Sequence, residues 1–255
     1  MTAPMLLFNS GKKDGWNFYD LITQKVLNIQ VNVPRKQLVG SSKGCKATVS
    51  ADPILDANDC IVTVIHLESG RLAYFRLGKD TTWTYIEERP DEIVEKALLG
   101  FHMVEEVASL GNKLYAVNSY SEVLSFDATT GCSLNTKLVG RGCEPDANDI
   151  KHYIFEGENN KLWMVQRYLK FEKDKRVTKK FRVFELNFQT AEWTEKKTLD
   201  HVALFLGNNS SVLLLAAELV GFESNCIYFN HDFDYVGIYY DENDFGVYDV
   251  EDQCF

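Results

Sequence analysis

The sequence predicts an all-β fold built from a repeated unit, and three observations predict it. The 255-residue chain contains 16 Phe, 12 Tyr and 4 Trp, and aromatic and β-branched side chains fit the pleated surface of a sheet. One short motif recurs along the chain, and an apolar segment precedes each copy across a turn. The hydrophobic content of 45% supplies a sizeable core, so we expect a folded chain and not a disordered one.

The repeated motif is an aromatic residue followed by a charged residue and an aliphatic one. Its aromatic positions step by 56, 51, 58 and 64 residues. A period near 50 is typical of kelch-like propellers, in which each blade is a four-stranded sheet. We therefore predict an all-β propeller of about five four-stranded blades, with residues 1–255 forming one domain. The copies are Tyr19-Asp20-Leu21, Phe75-Arg76-Leu77, Phe126-Asp127-Ala128, Phe184-Glu185-Leu186 and Tyr248-Asp249-Val250.

Each motif closes a strand, and a second strand is predicted upstream of it. Short polar turns such as residues 118–122 indicate tight hairpins, whereas the polar stretch 169–180 indicates a long loop. Trp83-Thr84 and Trp193-Thr194 begin further predicted strands, over residues 83–87 and 193–197. The upstream strands are Met5–Phe8, Cys60–Ile65, Leu114–Val117, Leu162–Val165 and Ile227–Phe229.

The repeat has a packing explanation. A single four-stranded sheet has two faces and cannot bury both, but sheets stacked radially cover one another and leave short edges. We expect the motif aromatics to lie between neighbouring blades as part of the core.

The net charge of the chain limits the classes of partner that it is expected to bind. The formal net charge is −10 and the pI about 5.0, which disfavours nucleic acid and anionic membranes because both repel a negative field. The apolar segments, such as Val212–Ala217, fall far short of a membrane span. With no targeting signal visible, we expect an intracellular protein, cytoplasmic or nuclear.

The chemistry-bearing residues predict no catalytic, metal or cofactor site. The six cysteines form no zinc-like pair, and four of the five histidines (His66, His102, His152 and His231) are scattered without metal-like spacing. Asp200-His201 with Ser210 or Ser211 invites comparison with a hydrolase triad, but the G-x-S-x-G elbow is absent. We therefore predict a protein that is not an enzyme and needs no cofactor.

One run of the sequence is basic. Residues 170–182 read KFEKDKRVTKKFR, a local patch of opposite sign on an acidic chain. A solvated loop is the simpler interpretation; the functional one is a loop that attracts an acidic partner or a phosphorylated peptide. The candidate partner-binding residues are Lys170, Lys173, Lys175, Arg176, Lys179 and Lys180.

Several stretches also resemble the plant KIB-type β-propeller domain. They are residues 46–65 (KATVSADPILDANDCIVTVI), 113–127 (KLYAVNSYSEVLSFD), 203–208 (ALFLGN), 225–229 (NCIYF) and 246–252 (GVYDVED). In that family the propeller typically follows an F-box, in F-box/kelch-like proteins. The resemblance implies a protein-recognition module related to the substrate-receptor half of a ubiquitin ligase. The alternative is an enzyme with its site in the central channel of the propeller.

The sequence departs from the family pattern in two ways. No F-box precedes the β pattern, which already begins at Met5, so we expect no direct binding to a ligase adaptor. About a blade's worth of sequence is missing where Gly44 meets Cys45. A gene-model artefact and a shortened paralogue both explain this junction.

Overall fold

Nineteen strands in five sheets make up the described part of the chain. In this computed structural model, the structure describes residues 5–9, 16–20, 25–28, 45–49, 61–66, 71–76, 79–86, 104–111, 113–126, 137–142, 149–172, 175–207, 211–218, 221–230 and 244–255. Of the first four strands only the backbone is described. The fold is all-β, as predicted, apart from two 3-10 turns in the described ranges.

The strands fall into consecutive groups along the chain. The first sheet contains β1 (Met5–Asn9), β2 (Trp16–Asp20) and β3 (Lys25–Asn28). The second contains β4 (Cys45–Val49), β5 (Ile61–His66), β6 (Arg71–Arg76) and β7 (Thr84–Tyr85). The third contains β8 (Val104–Leu110), β9 (Lys113–Asn118), β10 (Val123–Phe126) and β11 (Lys137–Gly140).

The fourth and fifth sheets complete the set. The fourth contains β12 (Ile150–Glu156), β13 (Leu162–Glu172), β14 (Lys175–Asn187) and β15 (Glu192–Lys196). The fifth contains β16 (Val202–Leu206), β17 (Val212–Leu215), β18 (Cys226–Phe229) and β19 (Gly246–Asp249).

Strand order is that of antiparallel meanders, with one departure. In the first four sheets each strand pairs antiparallel with the next one in sequence. In the fifth sheet the order is β17-β16-β18-β19, and β16 pairs with β18 in parallel. The strand β17 folds back on the other side of β16, and a 3-10 turn at Ala216–Glu218 begins the connection to β18.

The second to fifth sheets stack face to face in chain order. One buried cluster joins the second and third sheets, another the third and fourth, and another the fourth and fifth. Phe126, Phe184 and Tyr248 from the repeated motif each lie in one of these clusters, at 5%, 4% and 2% exposure. For these three aromatics the expected position between sheets is therefore confirmed.

The five predicted hairpins are confirmed by the pairing of β1 with β2, β5 with β6, β9 with β10, β13 with β14, and β18 with β19. The expected loop over residues 169–180 is wrong, because most of that segment is strand. Exposed charged side chains such as Lys170 and Lys179 interrupt the apolar alternation by which a strand is recognised in a sequence. The Gly44 side of the junction lies outside the described residues, whereas β4 begins at Cys45 and pairs with β5.

Candidate functional site: the projecting hairpin and its root

The hairpin formed by β13 and β14 projects beyond the rest of the fourth sheet. The first partner of β12 on β13 is Tyr168, and β15 pairs with β14 no earlier than Val183. In the strand ladder, residues 169–172 and 175–178 therefore pair with each other as a two-stranded ribbon. At the start of this ribbon the Leu169 N–H also donates to the Asp149 carbonyl at 2.7 Å. A register shift between Tyr168 and Leu169 marks the start of this ribbon, as expected of a β-bulge that bends a strand. We call residues 169–180 the hairpin tip and residues 166–168 its root.

The structure describes half of the predicted partner-binding side chains. Lys170, Lys179 and Lys180 are exposed on the tip. Lys175 and Arg176 lie on the strand β14, but their side chains, like Lys173 as a whole, are outside the described residues. The five positions whose backbone is described therefore lie on one hairpin.

Two of the exposed lysines have local partners. The Lys179 Nζ lies 2.7 Å from a Glu172 carboxylate oxygen, and both side chains are 40% or more exposed. The Lys180 Nζ lies 4.2 Å from the centre of the Tyr168 ring, a cation–π contact that leaves the ammonium open to water. These weak surface contacts leave the positive charge of the tip available to a partner.

Arg167 fixes the root against the fifth sheet. Its side chain is 2% exposed and ion-pairs at 2.9 Å with Asp244, which lies two residues before the start of β19. Its Nε donates to the Thr178 hydroxyl at 2.8 Å, and one terminal nitrogen donates to the Asn230 carbonyl at 3.0 Å. Asp244 also accepts from the Thr178 backbone N–H at 3.2 Å. The tip is thus held to the neighbouring sheet through a buried charged network.

A second ion pair lies on the opposite face of the hairpin. The Arg182 Nε donates to Glu195 at 3.0 Å, and a terminal nitrogen donates to the Tyr168 hydroxyl at 3.1 Å. Hydrogen bonds from Arg182, and more weakly from Lys197, lower the pKa of Glu195 to about 2, and the same pair raises the pKa of Arg182. Both groups therefore stay charged throughout the physiological pH range.

From Tyr168 a chain of hydrogen bonds runs into the protein toward the third sheet. The Tyr168 hydroxyl donates to the Gln166 carbonyl oxygen at 2.9 Å, and the Gln166 amide donates to the Ser121 hydroxyl at 3.0 Å. Ser121 Oγ lies 2.8 Å from His152 Nε2, and His152 Nδ1 lies 3.0 Å from a Glu105 carboxylate oxygen. The chain therefore joins residues of the third and fourth sheets.

The last three members have the connectivity of a serine–histidine–carboxylate triad. With a neutral His152 all three side chains have hydrogen-bond partners, because Nδ1–H donates to Glu105 and Nε2 accepts the Ser121 hydroxyl proton. Ser121 also has a positive φ of 64°, as strained residues at functional sites often do. The turn accounts for this angle locally, since Asn118 accepts hydrogen bonds from the backbone of Tyr120 and Glu122.

Burial argues against catalysis at this triad. Ser121 is 1% exposed and His152 is 0% exposed, so a substrate carbonyl cannot approach the hydroxyl oxygen. The Gln166 amide already occupies the acceptor side of that oxygen. The arrangement works as an inter-sheet tie, in which buried polar groups satisfy one another.

Of the residues considered as a triad in the sequence, Asp200, His201 and Ser211 do not assemble, and Ser210 lies outside the described residues. His201 is 64% exposed and pairs with Glu158 at 2.9 Å, and the Ser211 hydroxyl has no hydrogen-bond partner in the described part of the chain. No sequence signal marks Glu105, Ser121 and His152, because Ser121 lies 31 positions and Glu105 47 positions before His152. Among the described residues no cluster of His, Cys, Asp or Glu could hold a metal ion.

Comparison with known proteins identifies the class of fold and then the family. The fold is a set of largely antiparallel sheets stacked in chain order, and the model of the KIB1-4 beta-propeller family matches residues 6–249. The chain belongs to the KIB1-4 β-propeller family.

Its curated relatives are proteins of Arabidopsis thaliana. A predicted F-box protein is 26% identical over 208 residues, covering 81% of this chain and 53% of the relative. A second predicted F-box protein is 24% identical, covering 68% and 44%, and a predicted F-box/kelch-repeat protein is 27% identical, covering 62% and 39%. The chain thus spans about half or less of the length of these relatives. Within the described ranges we find no apolar helix of the length needed to cross a lipid bilayer.

Proposed function

We propose that this chain is a non-enzymatic protein-recognition module, the counterpart of the substrate-recognition propeller of F-box proteins, and that residues 1–255 form one domain. In this proposal the hairpin tip docks an acidic or phosphorylated segment of a partner protein. Family membership and the F-box relatives support the recognition role. The assignment of the site rests on the projecting hairpin, which exposes Lys170, Lys179 and Lys180 on a chain of net charge −10.

Electrostatics explain why such a tip would select its partner. A basic ribbon on an acidic body attracts an acidic segment while the body repels it elsewhere, so the encounter is steered to the tip. The ribbon is anchored at Thr178 and Arg167, so little backbone entropy is lost when a partner binds. RNA is a weaker candidate, because it needs aromatic stacking platforms beside the charge.

Charge reversal on the tip tests the proposal. We would compare the wild type, K170E/K180E and the control K113E/K137E, in which two other exposed strand lysines are reversed. The probes are a phosphoserine peptide library and its unphosphorylated and acidic counterparts, read by fluorescence anisotropy at two salt concentrations. We expect the wild type to bind with an affinity that falls as the salt concentration rises. K170E/K180E should bind about tenfold or more weakly, and the control should keep the wild-type affinity. Equal loss in both variants, or binding insensitive to either, would contradict a specific role of the tip.

A further inference from the structure

The hydrogen bonds that connect the hairpin root with His152 all point in one direction. The Arg182 guanidinium donates to the Tyr168 hydroxyl, which donates to the Gln166 carbonyl oxygen. The Gln166 amide donates to the Ser121 hydroxyl, and with the proton of a neutral His152 on Nδ1, Ser121 donates to Nε2. The direction of each link therefore depends on the direction of the next. We call this series the relay, and its members are Arg182, Tyr168, Gln166, Ser121, His152 and Glu105.

A second proton on His152 is incompatible with this direction. The Glu105 carboxylate oxygen lies 3.0 Å from Nδ1 and holds one ring proton there, so the second proton must sit on Nε2. Nε2–H then donates to the Ser121 oxygen, which already accepts from Gln166, and the Ser121 proton loses its acceptor. Ser121 is 1% exposed, so water cannot take that proton, and an unsatisfied buried donor is costly.

A half-turn of the Gln166 amide removes this conflict. The two ends of a carboxamide have nearly the same shape, so the oxygen can take the place of the nitrogen in the same space. Gln166 then accepts from Ser121 and donates to the Tyr168 hydroxyl. Because Tyr168 is half-buried, its own proton becomes available to solvent or to a bound partner. The protonation state of His152 thereby sets what the Tyr168 hydroxyl donates to at the root of the hairpin.

The groups around His152 supply what a protonated ring needs. The Glu105 carboxylate provides the counter-charge that a buried imidazolium requires, and its 22% exposure connects it to water. The Tyr115 phenol on β9 stays neutral over the physiological range, because burial raises its pKa. Glu106 pairs with Val117, which belongs to the cluster between the third and fourth sheets, so Glu106 lies on that face. Further titratable or charged side chains near the relay are Glu122, Tyr168 and Arg182.

We propose that the relay is a proton-linked switch that regulates the hairpin tip. Proton uptake at His152 turns the Gln166 amide and releases the Tyr168 proton for an acceptor oxygen of the partner, beside the Lys180 ammonium that lies over the Tyr168 ring. Protonation and binding of an acidic segment then favour each other by the same factor. Imidazole ordinarily changes its charge between about pH 5 and 8. The inference rests on the proposed function of the tip and adds that the partner binds more tightly as the pH falls.

The free protein tests the switch without any partner. In a 15N-labelled full chain at about pH 8, the ring nitrogens of His152 should report a proton on Nδ1 and none on Nε2. As the pH is lowered to about 5.5, the ring signals of His152 and the side-chain amide signals of Gln166 should change together. The variants H152Q and Q166M assign these signals. In S121A, which interrupts the relay, His152 should still titrate and Gln166 should no longer follow it.

Binding at the tip is measured by the fluorescence anisotropy of rhodamine-labelled hexaglutamate, whose carboxylates stay charged over this pH range. We expect the wild type to bind about fivefold more tightly at the lower pH. S121A should change by less than about twofold, which also measures the general effect of the other histidines. The matched control is H201Q, which removes a histidine that is 64% exposed and lies outside the relay, and it should behave as the wild type. Circular dichroism checks that S121A keeps its fold.

Three results would overturn the switch: a Gln166 amide that stays unchanged while His152 titrates in the wild type, a His152 that stays neutral throughout, or a hexaglutamate affinity that is equal at both pH values. A folded S121A with the full pH dependence would also overturn it. Absence of hexaglutamate binding at both pH values would instead contradict the proposed function of the tip. The signals of the free protein do not depend on that function, so the two failures are distinguishable.

Discussion

Replacement of Arg167 should be among the most destabilising substitutions in the described core. The side chain is 2% exposed, and it supplies the counter-charge to Asp244, which is 12% exposed. In R167M the apolar volume is largely kept, but the carboxylate loses its charged partner, and removing one partner of a buried pair costs about 3–5 kcal/mol. Thr178 still donates to the carboxylate through its backbone and hydroxyl. We therefore expect a loss near the lower end, about 3 kcal/mol.

A double-mutant cycle separates this charge effect from packing. Once Asp244 is neutral, R167M leaves no uncompensated charge, so R167M/D244N should lose about 2 kcal/mol less than the sum of the single variants. The assay is urea unfolding followed by tryptophan fluorescence and by circular dichroism, so that coincidence of the two curves checks two-state behaviour. The matched control is R182M, whose partner Glu195 is 27% exposed, and which should cost at most about 1 kcal/mol.

The outcome that refutes this reasoning is specific. If R167M lowers the free energy of unfolding by less than about 1 kcal/mol, the Asp244 charge is not buried in solution. If the two single losses add within about 0.5 kcal/mol, Arg167 and Asp244 do not interact energetically.

Three further expectations follow from the site. The side chain of Ser121 should resist a fluorophosphonate probe under conditions that label an active serine hydrolase, because it is 1% exposed; labelling lost on Ser121→Ala would favour the enzyme alternative. The pKa of Glu195 is lowered to about 2 in the fold, so its charge stabilises the wild type relative to E195Q by about 1 kcal/mol or less. In unfolding curves this difference should be complete above pH 4.5 and should disappear as the pH falls toward 2. Gly142→Ala should destabilise the chain by about 1–3 kcal/mol in the same assay, since its Cβ would overlap the Tyr120 carbonyl oxygen; an unchanged midpoint would show that the turn can move aside.

The repeat was predictable because one constraint acts at the three copies whose aromatic side chain lies in a described buried cluster. Phe126, Phe184 and Tyr248 each close a hairpin and each fill the space between two sheets, so the same residue type recurs at the same place. Pairing of neighbouring strands is local, and the turn over residues 118–122 is visible in the sequence itself. The parallel pairing of β16 with β18 could not be predicted. The side chains of β17 alternate in the same way whichever edge of β16 it pairs with, so the sequence does not show which edge is left for β18.

The polar network could not be read from the sequence for a different reason. Glu105, Ser121, His152 and Gln166 come from two sheets, and each looks like an ordinary polar residue of its own strand or turn. Only the stacking of the third sheet on the fourth brings them within hydrogen-bond distance. In the sequence His152 is simply one of several scattered histidines, and its burial is a property of the tertiary structure.

The positions of Gln166 and Arg167 connect this network to recognition. They are consecutive on β13, so their side chains point to opposite faces of the fourth sheet. Gln166 reaches Ser121 on the third sheet, and Arg167 reaches Asp244 beside the fifth. Both faces of the root are therefore fastened by buried polar contacts at the point where the ribbon leaves the sheet. A ribbon fastened on one face could swing about its bulge, whereas one fastened on both presents its lysines in a fixed direction. In the proposed function the ribbon is already ordered when the protein folds. Binding of the partner therefore costs less conformational entropy, and more of the electrostatic attraction contributes to the affinity.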